Sequence, residues 1–215
     1  RTRVLISPWI ELPARIRSRE VDLMVADVSE VQGQDDLDIT PLQPHRAFVV
    51  CRPGHPLTAQ SGVGAADIFR FPLAGPHLPQ HAIDKVLQHM PQPIREQGRK
   101  HGLLTITCDS SSVLKAILAN SDAISIMSPF MAIKELRDGD LAMIRELDLN
   151  VQGQFGVTRL RGRTLSAPAE AFLKLLKEHD REISAMECAL LDSYATSMKE
   201  RKPRRSVVSR KIGPG

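Results

Sequence analysis

Short apolar runs alternate along the chain with segments in which apolar residues recur every three or four positions. The runs predict buried strands and the segments predict amphipathic helices, a pattern typical of an α/β protein. At the start, residues 4–6 predict a strand, Ser7, Pro8 and Trp9 open a helix, and residues 21–26 predict a second strand. Short connections of this kind favour parallel strands with a right-handed crossover.

The alternation continues to the end of the chain. Further strands are predicted at residues 37–42, 47–51, 103–108, 123–127 and 155–160, and helices at 65–69, 82–90, 110–118, 129–138 and from 168 into the 190s. These elements form two sets, residues 1–70 and 72–150, and leave one strand and one helix over. Two small α/β units are therefore expected within one chain.

The stretch VCRPGHPL at residues 50–57 brings a cysteine and a histidine close together in the sequence. Cys51 ends a predicted buried strand, and Pro53 with Gly54 signals a turn. A nucleophilic cysteine needs a base held at hydrogen-bond distance, and such a turn does not hold His55 in that position. We therefore favour a turn here over a catalytic dyad.

Length, apolar content and cysteine usage narrow the class of protein. The chain has 215 residues, of which 42% are hydrophobic, but no stretch approaches the ~20 apolar residues that cross a bilayer. Three widely spaced cysteines do not predict a disulfide scaffold and favour the cytoplasm. No spacing of cysteine or histidine indicates a metal site. The start lacks both a signal-peptide pattern and a methionine, so a fragment is expected.

The net charge of +4 is concentrated at the end of the chain. Residues 197–215 carry seven basic side chains and one acidic one, which leaves −2 for the rest of the chain. Prolines and glycines accompany these charges, so residues 197–215 are predicted to be a basic, disordered tail.

Four stretches, in order, resemble the effector-binding domain of LysR-type transcriptional regulators. They are IRSREVDLMVAD, the strand that runs into GHPL, VLKAILANSDAISIMSPFMAIKELRDGDLAMI, and FGVTRLRGRTLSAPAEAFLKLL. The resemblance as a whole covers roughly residues 3–177. The family's N-terminal winged helix-turn-helix and the first strand and helix of its effector domain have no counterpart here, so the resemblance is to an N-terminally truncated domain.

The resemblance implies the fold of type-II periplasmic binding proteins, an α/β fold of two Rossmann-like lobes joined by two crossover strands. Gly153 and Gly156 would suit a hinge, because glycine absorbs dihedral change cheaply. The expected boundaries are lobe I at residues 1–72 and 157–196, lobe II at 73–156, and crossings near 71–75 and 152–157.

The resemblance also implies an effector cleft between the lobes, lined by loops that follow strands and open helices. Helix capping by itself explains Ser110, and an acidic Asp109 would repel a carboxylate unless it pointed away. The implied effector-binding residues are Ser7, Pro8, Trp9, Gly75, Pro76, His77, Asp109, Ser110, Ser111, Met127, Ser128, Pro129 and Phe130.

By this resemblance, the chain is the ligand-sensing domain of a cytoplasmic bacterial transcription factor. The implied partners are a small-molecule effector, with carboxylates among the candidates, and further copies of the chain in a homodimer or homotetramer through lobe I–lobe II contacts. DNA would be bound only through a helix-turn-helix that this sequence lacks; no catalytic residue, cofactor, metal or membrane contact is expected. The alternatives are a transport solute-binding protein of the same fold, or an enzyme that uses Cys51, Cys108 or His77.

Overall fold

The structure, a computed structural model, describes residues 2–78, 80–88, 90–144, 147 and 149–201. Its helices are α1 (Leu12–Arg17), α2 (Pro56–Ala59), α3 (Ala65–Ile68), α4 (Gln80–Gln88), α5 (Gln92–His101), α6 (Ser111–Ala119), α7 (Ile133–Asp138) and α8 (Ala167–Arg201), with 3₁₀ turns at Trp9–Glu11 and Pro129–Ala132. Its strands are β1 (Met24–Asp27), β2 (Leu37–Pro41), β3 (His45–Arg46), β4 (Phe48–Cys51), β5 (Ala74–Gly75), β6 (Ile106–Thr107), β7 (Ser125–Met127), β8 (Ala142–Ile144), β9 (Gln152–Gly153) and β10 (Phe155–Leu160).

Lobe I is built on a three-stranded sheet in the order β1-β10-β2. Both pairings with β10 are antiparallel. Helix α1 packs on this sheet through Ile16, which is fully buried among Met24, Val28 and Leu37. The lobe thus has a small apolar core of its own.

Lobe II is built around β4, which lies between β7 and β8 and is antiparallel to both. Strands β5 and β6 are parallel to each other, and Leu73 bridges Ile124 in a parallel sense just before β5 and β7. All four residues of β4 are buried, since helices cover both faces of this sheet. The three segments β5, β6 and β7 therefore end at the same edge.

The chain crosses between the lobes at β3 and β9, which pair with each other as a separate two-stranded ladder. Strand β9 occupies residues 152–153, within the crossing expected near 152–157, whereas the strand pairing contradicts the crossing expected near 71–75. Because β4 hydrogen-bonds to β7 and β8, the first crossing lies before it, and residues 48–72 belong to lobe II.

The strand predicted at residues 4–6 does not form. This stretch is extended without a ladder partner, and Val4 and Ile6 are largely exposed to solvent. The parallel strand-helix-strand unit predicted for residues 4–26 is therefore absent, and β1 pairs antiparallel with β10 instead.

Helix α8 is longer than predicted and does not stay with lobe I. It follows β10, but Leu190, Leu191 and Tyr194 near its other end pack into the core of lobe II, so the assignment of residues 157–196 to lobe I is wrong for this part.

The helix continues to Arg201, which contradicts disorder at residues 197–201, and the rest of the predicted tail lies outside the described residues. Although α8 is long, no helix in the described part of the chain is apolar enough to span a membrane.

The turn predicted at VCRPGHPL is present, and its cysteine and histidine do not interact. Cys51 is fully buried, and this burial raises the pKa of its thiol to about 12. The His55 ring accepts a hydrogen bond from the Leu57 N–H at 3.1 Å through Nδ1, and its Nε2–H donates to the Asp122 carbonyl at 3.2 Å. The ring is thus held as a neutral imidazole that caps α2.

Gly156 permits the close approach of β10 to β2, which is a different role from the hinge predicted for it. A Cβ at this position would lie 2.9 Å from Val28 Cγ1 and 3.1 Å from the backbone oxygen of Thr40. Its φ is not in the positive range that favours glycine. The constraint at Gly156 is therefore steric.

We expect Gly156→Ala to destabilise the protein by about 1–3 kcal/mol, because the added methyl group must displace backbone as well as Val28. The control is Gly64→Ala, where the nearest atom to the new Cβ lies at 3.4 Å and the cost should stay below about 1 kcal/mol. Denaturant unfolding measures both, and equal costs would contradict the steric role.

We expect His55 to make the protein less stable as the pH falls below about 6.5. Burial lowers the pKa of His55, an effect that its bond to the Asp122 carbonyl only partly opposes, so the unfolded chain binds a proton that the folded chain does not. In His55→Gln, the fall in unfolding free energy between about pH 7 and about pH 5 should be smaller. His179→Gln, at an exposed histidine, is the control and should keep the pH dependence of the parent protein. If His55→Gln also keeps it, His55 does not contribute.

Candidate ligand cleft between the lobes

The loops that leave β5, β6 and β7 lie together at the edge of lobe II that faces the crossing strands. This arrangement follows from the parallel pairing of β5 with β6 and of Leu73 with Ile124. The Cys108 N–H donates to the Gly75 carbonyl at 2.8 Å and ties two of these loops together. Three of the four predicted segments of the site thus lie on one edge, which is where α/β proteins place ligands.

Helix α6 begins at this edge, and its first turn is capped as the sequence predicts. The Ser110 hydroxyl accepts a hydrogen bond from the Val113 N–H at 3.5 Å. Ser110 and Ser111 are both exposed. The amides of the first turn carry the positive end of the helix dipole, so this position favours an anion.

His77 and Asp109 hydrogen-bond to each other and join two of these loops. Asp109 Oδ1 accepts a hydrogen bond from the His77 N–H at 3.0 Å, and Oδ2 lies 2.9 Å from His77 Nδ1. Partial burial by itself would raise the pKa of the Asp109 carboxyl, but the two bonds from His77 outweigh it and lower that pKa. Asp109 is thus turned toward a histidine, which weakens its repulsion of an anion.

Trp9 reaches this pair from lobe I. Its indole Nε1–H donates to the His77 carbonyl at 2.9 Å, a contact between residues 68 positions apart. Ser7 and Pro8 lie immediately before it and are half-buried. The structure therefore brings Trp9, His77 and Asp109 together.

A second contact between the lobes involves residues that the sequence reasoning missed. His81, at the start of α4 in lobe II, lies 3.1 Å from Ser29 Oγ through Nε2 and 3.3 Å from Glu30 Oε1 through Nδ1. Ser29 also hydrogen-bonds to Asp27. These lobe I residues follow β1 directly, so the end of the VDLMVAD strand was the signal that could have pointed to them.

The fourth predicted segment lies deeper, against the crossing strands. Met127, Ser128 and Pro129 are buried, and Phe130 is half-buried. The Phe130 ring packs 4.5 Å from the His45 ring and 5.7 Å from the Phe155 ring, measured between centroids. Phe130 therefore packs against β3 and β10, the strands at the crossing.

Two open grooves lie on other parts of the described surface. Open grooves of about 560 and 620 Å³ lie over Lys115 and Glu135 in lobe II and beside Arg19 and Arg161 in lobe I. Neither includes a predicted site residue. Within the described residues, no cluster of three or more histidine, cysteine or acidic side chains is arranged to hold a metal ion.

Comparisons with known proteins agree on one family. The family described as the LysR substrate binding domain matches residues 1–181. An SDS degradation transcriptional activation protein from a Pseudomonas species is 34% identical over 184 residues, which cover 84% of this chain and 58% of that protein. The chain thus spans little more than half the length of this curated relative.

Solved structures agree on the fold. The regulatory domain of CcmR from Synechocystis, in complex with 2-PG, is 18% identical, with a TM-score of 0.56 over 81% of this chain and 80% of that chain. The regulatory domain of MetR from N. meningitidis, a LysR family regulator, is 15% identical, with a TM-score of 0.54 over 77% of this chain and 73% of that chain. The two-lobe α/β architecture predicted from the sequence is confirmed, and the chain belongs to the LysR substrate binding domain family.

Proposed function

We propose that this chain is the ligand-sensing domain of a transcription regulator, and that it binds a small molecule between its two lobes. The observation that carries the proposal is the convergence of Trp9 from lobe I with His77 and Asp109 from lobe II at one end of the interlobe edge. The family match over residues 1–181 supports the same reading. The relative named as a transcriptional activator favours a regulator over a transport protein.

The ligand acts by binding one lobe arrangement better than the other. Trp9 and His81 each make a contact from lobe to lobe, so a ligand seated between them changes the free energy of closure. Such a ligand shifts the equilibrium only by its differential affinity for the two arrangements, typically about 1–3 kcal/mol. No covalent step is required, and DNA binding is assigned to a part of the full-length protein outside this chain. We also propose that the regulator acts in the cytoplasm and that copies of the chain assemble through lobe I–lobe II contacts.

A small organic anion is the ligand class that suits the cleft. The first turn of α6 offers N–H groups behind Ser110 and Ser111. His77 and His81 take part in the two contacts between the lobes. Asp109 opposes an anion less than a free carboxylate would, because it is paired with His77. The name of the Pseudomonas relative adds alkyl sulfates to the carboxylates as anions to test.

A thermal-shift screen of carboxylates, amino acids and short-chain alkyl sulfates below their micellar range tests the function. A ligand at 100 times its Kd should stabilise the protein by about 2.7 kcal/mol, or roughly 5–10 °C in Tm for a chain of this size. Because Trp9 is the only tryptophan, the same ligand should also change the fluorescence emission. The control is His179→Ala on the exposed face of α8, which should leave the shift unchanged. Absence of any ligand across these classes would contradict the proposal.

Two substitutions at the contact between His77 and Asp109 should change the affinity for an anion in opposite directions. Asp109→Asn removes a negative charge and should tighten binding by roughly threefold to tenfold, whereas His77→Phe removes the imidazole and should weaken it by a similar factor. Calorimetric titration with the best anion from the screen gives both values. If both variants bind like the parent protein, the ligand does not bind at this edge.

A further inference from the structure

The first crossing strand carries a histidine that is buried beneath helix α8. His45 is 3% exposed and lies in β3, paired with Gly153 of the second crossing. One face of its ring packs on Phe130. The ring therefore lies where the chain passes from one lobe to the other.

Two carboxylates from α8 face the two ring nitrogens of His45. Nδ1 hydrogen-bonds to Glu187 Oε2, and Nε2 lies 4.0 Å from Asp180 Oδ1. Glu187 is 6% exposed, and the Asp180 side chain is 12% exposed. Asp180 and Glu187 are seven residues apart, which places them on the same side of α8 two turns from each other.

The remaining oxygens of the two carboxylates bind backbone N–H groups on either side of the crossing. Glu187 Oε1 accepts from the Phe130 N–H at 3.3 Å, and Asp180 Oδ2 accepts from the Gln43 N–H at 3.0 Å. Glu187 accepts through both of its oxygens and Asp180 through Oδ2, so each carboxylate is suited to the ionised form. A neutral His45 would leave two buried negative charges against one ring, an arrangement that is costly without a compensating cation.

His55 provides the contrasting arrangement within the same chain. Its ring is also fully buried, but one nitrogen accepts a hydrogen bond and the other donates one, both with backbone groups. That pairing needs a neutral imidazole, whereas a carboxylate faces each ring nitrogen of His45, one in a hydrogen bond and one at 4.0 Å, and this arrangement favours a proton on both. The two buried histidines thus call for opposite protonation states.

Helix α8 connects the two lobes independently of the crossing strands. It starts after β10 of lobe I, passes the crossing at Asp180 and Glu187, and packs into the core of lobe II through Leu190 and Tyr194. At about 1.5 Å per residue, its 35 residues extend for about 50 Å. Any change in the angle between the lobes must therefore bend this helix or move it past the crossing.

We propose that a doubly protonated His45 fastens α8 to the first interlobe crossing through Glu187 and Asp180, so that the position of the helix depends on pH. The groups that face the ring are Glu187 and Asp180 from α8 and Phe130 from the 3₁₀ turn, while Arg46, the next residue, extends its guanidinium over the Phe48 ring. When the ring loses its second proton, the two carboxylates lose their cation and the contact with α8 weakens. This inference does not depend on the identity or existence of the ligand.

Nitrogen-15 NMR of the histidine rings in the full chain tests the protonation state directly. At about pH 7, His45, identified by the signal lost in His45→Gln, should show both nitrogens protonated, whereas His55 should show one. In Glu187→Gln, the His45 signal should move to that of a neutral ring. A neutral His45 ring in the parent protein at about pH 6 would overturn the proposal.

Hydrogen exchange tests the consequence for α8. After correction for intrinsic exchange, amides at residues 181–194 should lose roughly tenfold in protection between about pH 6 and about pH 9. Glu187→Gln should lower the protection at both pH values and remove the dependence. The matched control is Glu182→Gln on the exposed side of the same helix, which should behave like the parent protein.

If Glu187→Gln does not fold, Asp180→Asn is the alternative, since Asp180 is the more exposed of the two carboxylates. It should show a smaller loss of amide protection in α8, in the same direction. Protection that stays independent of pH in the parent protein would contradict the fastening role, whatever the outcome of ligand binding.

Discussion

The pairing of β3 with β9 is the constraint on which the arrangement of the molecule depends. Only four residues form this ladder, yet both passages of the chain between the lobes go through it. A single residue separates β9 from β10, and a single residue separates β3 from β4. The sheets of both lobes therefore begin beside the same short ladder, and the loops that end β5, β6 and β7 face it. The position of the cleft follows from where the chain crosses.

Local features of the fold were predictable because they depend on neighbouring residues. The cap at Ser110, the proline that opens the turn at Pro129–Ala132 and the left-handed Gly139 after α7 are all present. The bounds of β10 also agree with its apolar run. By contrast, α5 was not predicted, because prolines 91 and 93 indicate the end of the preceding helix, although proline also suits the first turn of a new one.

Strand pairing could not be read in the same way. Residues 48–51 are apolar at every position, so their pattern fits the centre of either lobe's sheet and does not say which. The hydrogen bonds to β7 and β8 decide the matter, and they join segments more than 70 residues apart. Residues 4–6 illustrate the reverse case, since a good strand pattern does not make a strand without a partner. The loops of the cleft were predictable from strand ends and helix starts, but the approach of His81 to Ser29 and Glu30 depends on how the lobes face each other.

The buried ionic contact at His45 links these levels, because Phe130 belongs to two sites at once. Its ring lies between His45 and Phe155, and its N–H is bonded to Glu187 of α8. A ligand that shifts the backbone of Phe130 also shifts the donor that Glu187 accepts from, and a change at Glu187 that shifts this backbone moves the ring in return. Reciprocity of this kind is a requirement of linkage between two sites. The coupling needs no long pathway, since one residue touches the cleft, the crossing and the helix that spans both lobes. The charged contact makes the position of α8 depend on a proton, which apolar packing of equal stability could not do.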